Sequence, residues 1–303
     1  MNHVGAIDCG TNSIRLLIAD VSAGHCHEVV RLMRTVRLGE GVDRTGRLSP
    51  AALERTFAAV SEYAAVLDEH QVVDRRFVAT SASRDASNAA EFVAGVQERL
   101  GISPEVISGH EEAALSFEGA TANQQYPRPT LVFDIGGGST EFILGNDQPQ
   151  TWASVDIGCV RLTERLVSSD PLTANDVELI EQTVEQALDA VQQEVDLGAA
   201  LGAVGLAGTA TTVAALVLGL PRYEPAQIDG AELSVSAVED AVADLLAMTT
   251  AQRQELPVMQ PGRADVICSG ALILRAVVRR LSAETVFISE RDILDGLALS
   301  LAQ

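Results

Sequence analysis

Two tandem, related α/β domains are the fold class this sequence predicts, on three observations. Short apolar strands alternate with amphipathic helices from one end to the other. The strand–turn–strand pattern around Asp8 returns 126 residues later around Asp134, with matching residues at its turn. The chain has 303 residues, enough for two domains and for more than one sizeable core.

The first strands are expected over residues 4–7 and 14–19, joined by a polar turn, with 28–33 continuing the sheet. Ser49-Pro50 opens a helix, serine as N-cap and proline in the first turn. Its apolar face is Leu53, Phe57, Val60, Ala64 and Leu67. Residues 77–79 read as a short buried strand. Asn88 with Glu91 predicts a capping box for a helix ending at Gly101. A strand at 105–107 and a helix at 110–119 complete this half.

Residues 122–129 (ANQQYPRP) are polar and end in two prolines, which marks them as the linker. Domain one is therefore expected over 1–124, completed by the C-terminal helix 290–303, and domain two over 125–289. In the second half, strands are expected at 131–135, 140–144, 151–156, 203–207 and 285–288. Thr173 caps a long helix with Val177, Ile180, Val184, Leu188, Val191 and Val195 on its core face. Ser236 with Glu239 predicts another helix start, 262–281 a buried helix, and Ser289 with Asp292 the cap of the last one.

Composition narrows the function classes. The net charge is −21, which disfavours a nucleic-acid surface. All 21 basic residues are arginine, so every cation is a planar fork able to grip phosphate oxygens in pairs. No apolar run is long enough to span a bilayer. Residues 1–8 lack the pattern of a signal peptide. The four cysteines are widely spaced, with no C-x-x-C pair or Cys/His cluster, so the reading is buried thiols in a reducing cytoplasm, with no zinc site.

The chemistry concentrates in the repeat. Asp8-Cys9-Gly10-Thr11-Asn12-Ser13-Ile14-Arg15 aligns with Asp134-Ile135-Gly136-Gly137-Gly138-Ser139-Thr140-Glu141. Each turn offers unhindered backbone N–H groups plus the hydroxyls of Thr11 and Ser13, or of Ser139 and Thr140, a donor set that cradles phosphate oxygens without lysine. Two ordinary glycine-rich hairpins would also fit the pattern, but the matched spacing makes duplication the better account. Asp8 and Asp134 end their first strands, and carboxylate beside phosphate is the usual setting for Mg²⁺ (or Mn²⁺). Glu141 is placed to hold that metal or its water. Gly208-Thr209 lies at a strand-to-helix transition, which favours anions or serves close packing.

Beyond the repeat, nine stretches resemble the exopolyphosphatase/guanosine pentaphosphate phosphohydrolase family of the actin, Hsp70 and sugar-kinase superfamily. They are AIDCGTNSIRLLIADV (6–21), RLGEGVDRTGRLSP (37–50), ATSASRDA (79–86), VISGHEEA (106–113), DIGGGSTE (134–141), DIGCVRLTE (156–164), GLAGTATT (205–212), PGRADVICSGALIL (261–274) and SERDILDGLAL (289–299). The resemblance implies two tandem actin-like (ribonuclease H-like) domains with the active site in the cleft between them. It implies Glu112 as the general base, with Glu111 as the second candidate. Asp134 and Glu141 fall on its acidic residues around metal and attacking water. Asp8, Asn12, Ser13, Gly136, Gly137, Gly138, Ser139 and Thr140 fall on its phosphate loops, and Arg84 on a phosphate-holding position. For Arg84 a pairing with Asp85 is an equal reading. Arg161 and Arg263 lie in matched motifs, with a fold-supporting salt bridge an at least equal reading for each, and His110 is expected to be incidental.

The activity so implied is removal of terminal phosphate from inorganic polyphosphate, short chains above all, by a cytoplasmic enzyme that forms a homodimer. Hydrolysis of guanosine pentaphosphate shares the same motifs and is the alternative. An ATP-binding kinase or switch would share the loops without needing Glu111-Glu112, and a non-catalytic phosphate sensor is the third reading.

Overall fold

The structure is a computed structural model describing residues 3–122 and 124–302. Met1 and Asn2 of the expected leaderless start, Asn123 of the expected linker and Gln303 of the expected completing helix lie outside the described residues. By contact density the chain falls into two units: Met1–Gln124 with Asp292–Gln303, and Gln125–Arg291.

In the first unit, β1 (His3–Cys9), β2 (Ser13–Ser22) and β3 (His25–Thr35) form an antiparallel meander. The short α1 (Val42–Thr45) and the long α2 (Pro50–Glu69) lead to β4 (Asp74–Ala79), which pairs in parallel with β1. Then come α3 (Ser81–Asp85), α4 (Ala89–Leu100), β5 (Glu105–Val106) beside β4, and α5 (Gly109–Thr121). The strand order is β3-β2-β1-β4-β5. Residues alternate between the faces of a strand, and both faces of this sheet are covered. Ile7 and Cys9 of β1 join Leu53, Val60 and Leu67 of α2 in one core. Val4 and Ala6 face the opposite cluster. Ser49 caps α2 by accepting from the Ala52 N–H, with Pro50 in the first turn.

The second unit opens with the same motif. β6 (Thr130–Ile135), β7 (Thr140–Gly145) and β8 (Pro149–Val155) form an antiparallel meander. After α6 (Cys159–Leu166) and α7 (Ala174–Glu194), β9 (Gly202–Leu206) pairs in parallel with β6, as β4 does with β1. The remaining elements are α8 (Ala207–Val217), α9 (Pro225–Ile228), β10 (Glu232–Ser234), α10 (Val235–Ala247), α11 (Thr250–Gln254), α12 (Ile267–Arg280) and β11 (Thr285–Ile288). The strand order is β10-β11-β9-β6-β7-β8. Ile180, Val184, Leu188 and Val191 of α7 enter the core with Leu131 and Phe133 of β6. The last helix, α13 (Ile293–Ser300), belongs to the first unit, where Ile293, Leu294 and Leu297 cover Val4, Ala6 and Leu17. No helix among the described residues is long and apolar enough to cross a membrane, and all four cysteines are buried thiols.

Several local expectations are corrected. Asn88 starts α4 without capping it. Its amide instead accepts from the Leu48 N–H (2.8 Å) and donates to the Leu48 carbonyl (3.1 Å), pinning the loop before α2. The helix expected at Ser236 is capped by Ser234, whose extended backbone at the end of β10 lets its hydroxyl accept from Ala237. Asp292, not Ser289, caps α13, in a capping box completed by Asp295. The buried helix starts at Ile267 because the residues before it wrap the buried Arg253, whose Nε donates to the Ala264 carbonyl (2.8 Å) and whose Nη1 donates to that of Met248 (3.0 Å). The expected linker is packed over its later part: Tyr126 lies against Phe287 with ring centroids 5.3 Å apart.

Candidate active site

Each meander presents its first turn at the C-terminal end of its first strand. In the first unit Gly10 donates its N–H to the Ser13 carbonyl (2.9 Å), closing the turn at Gly10-Thr11-Asn12. Asp8 faces Arg15 across the β1–β2 ladder, and directly opposed residues share a face. Arg15 grips Asp8 Oδ2 through Nη2 (2.6 Å) and Nε (3.1 Å), and its Nη1 donates to Asp292 Oδ2. Burial pushes the Asp8 carboxyl up from its ordinary pKa, and Arg15 opposes the shift. The other carboxylate oxygen, Asp8 Oδ1, is buried without a hydrogen-bond partner, as are Thr11 Oγ1 and Asn12 Oδ1. Unmet buried oxygens are rare because each carries a desolvation cost. Three around one turn identify a place fitted for a ligand.

Glu112 comes from α5. Ser108 caps that helix by accepting from the Glu111 N–H (3.2 Å), so both glutamates sit in the first turn, where the helix dipole favours negative charge. The two then part. Glu111 turns to Arg76 (2.6 Å) with its side chain 43% exposed. Glu112 is only 12% exposed and pairs with Arg84, whose Nη1 donates to Glu112 Oε2 (3.1 Å) and to the Ile107 carbonyl (2.9 Å). The candidate base and the candidate phosphate arginine are thus neighbours, brought together by β4 and β5 running side by side.

In the second unit Gly136 donates to the Ser139 carbonyl (3.0 Å), repeating the turn. Asp134 faces Glu141 across the β6–β7 ladder. This is the position of Asp8 and Arg15, but here both partners are carboxylates. Asp134 is 8% and Glu141 1% exposed, and Ser154 donates to Glu141 Oε1 (2.8 Å). Two carboxylates side by side on one face are the donor type that a hard cation takes. The pair therefore fits a hard divalent ion, which one or two carboxylates plus water and phosphate oxygens suffice to hold. No group of three or more His, Cys, Asp or Glu able to hold a metal occurs among the described residues. Of the expected set of Asp8, Asp134 and Glu141, the last two lie side by side in the second unit. The adjacent pair is the part that fits, while Asp8 has one oxygen engaged by Arg15.

Three residues expected at the phosphate site, Thr140, Gly208 and Thr209, make close contacts within the second unit. Thr140 is fully buried and donates its hydroxyl proton to the Ile157 carbonyl (2.5 Å), so it has no proton left for a phosphate. Gly208, at the start of α8, lies under Arg263: a Cβ there would meet the guanidinium carbon at 2.0 Å. Arg263 Nη1 donates to the Gly208 carbonyl (2.6 Å) and to Thr212 Oγ1 (3.0 Å). Thr209 is buried, and Gly270 of α12 gives its side chain room. This loop is a close-packed joint. For Arg263 and Arg161 a salt bridge was one of two readings. Arg161 does pair with Asp156 (Nη2 to Oδ1, 3.8 Å), and both arginines also bind carbonyls of glycine loops, Arg161 through Nε to Gly138 (2.6 Å).

A model of the Ppx/GppA phosphatase family matches residues 17–303 of the chain. The chain belongs to the Ppx/GppA phosphatase family. Exopolyphosphatase 2 of Mycobacterium tuberculosis (strain CDC 1551 / Oshkosh) is 45% identical over 316 residues, covering 100% of this chain and 99% of the relative. Among solved structures, an exopolyphosphatase-like protein superposes with a TM-score of 0.94 at 42% identity, over 98% of each chain. An exopolyphosphatase from Cytophaga hutchinsonii gives 0.92 at 28% identity, over 99% of this chain and 98% of that one. Family membership carries with it the α/β, actin-like fold class expected from the sequence.

Proposed function

We propose that this Ppx/GppA family enzyme is an exopolyphosphatase that hydrolyses the terminal phosphoanhydride of short inorganic polyphosphates with Mg²⁺ or Mn²⁺. The observation that carries the proposal is the buried Asp134–Glu141 pair beside the glycine turn Gly136-Gly137-Gly138-Ser139. A site for a hard cation stands there next to a row of amide donors. The name of the Mycobacterium tuberculosis relative supports the choice of polyphosphate.

In this reading the second unit supplies Asp134 and Glu141 as metal ligands, and the Gly137, Gly138 and Ser139 N–H groups as donors to phosphate oxygens. The first unit supplies Thr11, Asn12 and Ser13 as a second phosphate turn, and Arg84 as a phosphate fork. Glu112 orients a water and takes its proton as the oxygen attacks the terminal phosphorus in line. The bond to the bridging oxygen breaks, and the shortened chain leaves as an anion. The metal, when bound, neutralises charge building on the phosphoryl oxygens. Glu112 is held for its task by Arg84, which fixes one of its carboxylate oxygens. A cytoplasmic setting agrees with the four buried thiols. The homodimer is part of the same proposal, and light scattering tests it.

The substrate test compares initial phosphate release from tripolyphosphate, long-chain polyphosphate and guanosine pentaphosphate with Mg²⁺ present. The proposal expects the highest kcat/KM on the short polyphosphate. Release from guanosine pentaphosphate alone would overturn it.

A further inference from the structure

We infer that Gly158 and Arg161, at the start of α6, are positioning residues that set the direction in which the amides of the second phosphate turn point. The inference rests on the phosphate-binding role proposed above for that turn.

The first N–H groups of a helix have no acceptor within it, and α6 has no side-chain cap. Its N-terminal donors are spent on the glycine turn. Cys159 N–H donates to the Gly136 carbonyl (3.0 Å), and Val160 and Arg161 N–H both donate to that of Gly137 (2.9 and 3.1 Å). Arg161 Nε takes the Gly138 carbonyl (2.6 Å). Three consecutive carbonyls therefore face α6, the end of the helix whose dipole favours them. In a planar trans peptide the carbonyl and the following N–H point in opposite directions. The N–H groups of Gly137, Gly138 and Ser139 are accordingly turned away from α6 as three adjacent donors. Among the described residues no acceptor takes any of them. Gly158 makes the approach possible. A Cβ there would lie 2.4 Å from Gly137 C and O and 2.5 Å from Gly138 N, all backbone atoms, so the turn itself would have to shift.

The first unit is built the same way from a different sequence. After β3, Val36 and Arg37 N–H donate to the Asn12 carbonyl (3.0 and 2.8 Å), and Gly39 N–H donates to that of Thr11 (2.9 Å). A Cβ on Gly39 would meet Thr11 Cγ2 at 2.3 Å. In both units the chain leaving the third strand holds the carbonyls of the turn between the first two. A hairpin turn alone does not need this, since the Gly10 and Gly136 N–H bonds already close each one.

The test uses ¹⁵N-labelled full-length protein in EDTA, titrated with tripolyphosphate, as wild type, Gly158→Ala and Arg161→Lys. Parallel assays measure kcat and KM with Mg²⁺. In the wild type the Gly137, Gly138 and Ser139 amide resonances move on titration. Gly158→Ala, with its remaining spectrum native, is expected to weaken that response and kcat/KM at least tenfold. Arg161→Lys keeps the charge but loses the fixed Nε bond, and is expected to weaken the Ser139 response at least threefold. It decides the matter if Gly158→Ala does not fold. Wild-type amides that ignore tripolyphosphate, or variants that titrate like the wild type, overturn the inference. Amides that respond in a wild type lacking hydrolysis would uphold the inference and refute the proposed function instead.

Discussion

Substituting Gly119 by alanine should destabilise the protein, although helix propensity alone predicts the opposite. Alanine in place of a helix-interior glycine ordinarily gains about 1 kcal/mol. At Gly119 the added Cβ would lie 1.9 Å from the Asp292 carbonyl oxygen and 2.8 Å from Gly296 N. To restore an ordinary contact of ~3.5 Å, α5 and α13 must part by roughly 1.5 Å. Gly296 makes the reciprocal approach, with its Cβ position 2.0 Å from the Leu115 carbonyl oxygen, so neither helix has slack. Parting them loosens Leu115 from Ile293 and Leu297. Overpacking against backbone belongs at the upper end of its usual range, about 3 kcal/mol. Set against the propensity gain, a net loss of about 2 kcal/mol remains, or a Tm lower by roughly 4–8 °C. Thermal and urea unfolding of Gly119→Ala beside wild type measure it. Because α5 also carries Glu112, phosphate release below the transition should fall as well. A variant melting at or above the wild-type temperature would refute the close approach of the two helices.

Four further outcomes are expected. Arg84→Gln removes the fork beside Glu112 and should raise KM for tripolyphosphate roughly tenfold, the worth of one charge-assisted hydrogen bond, in steady-state assays. EDTA should abolish phosphate release and Mg²⁺ or Mn²⁺ restore it, and Glu141→Gln should raise the Mg²⁺ concentration giving half-maximal activity about tenfold. Asp176, in the cap of α7, accepts hydrogen bonds from the Thr173 N–H and the Ser168 hydroxyl, and its pKa is lowered from 3.8 to about 2. A depressed carboxyl stabilises the fold above its unfolded pKa and loses that contribution as pH falls through the folded one. The stability gap between wild type and Asp176→Asn should therefore stay constant above about pH 4 and close between pH 4 and 2, as followed by urea unfolding.

What the sequence made legible were features whose cause is local. The meander strands and the caps at Ser49 and Thr173 follow from periodicity and short-range hydrogen bonding. The aligned turns gave away the duplication, and even the Arg15-for-Glu141 exchange that separates a neutralised hairpin from a doubly acidic one. Asn88 misled because asparagine amides bind distant backbone as readily as a helix N-terminus. The Arg84–Glu112 pair was hidden, since it depends on β4 and β5 pairing in parallel across a connection of two helices. So was the reach of α13 back to Arg15 through Asp292, 277 positions away. The tight glycines Gly119, Gly158 and Gly208 look like any others in the sequence; only the neighbours brought against them reveal their purpose.

The central claim is that a carboxylate of α5 drives water onto a terminal phosphate. Initial-rate phosphate release from tripolyphosphate with saturating Mg²⁺, compared between wild type and Glu112→Gln, tests it most directly. Gln keeps the shape of the side chain and its contact with Arg84 but cannot accept a proton. The account predicts a fall in kcat of about 10²-fold or more with KM changed only severalfold. A Glu112→Gln enzyme turning over at close to the wild-type kcat would contradict it.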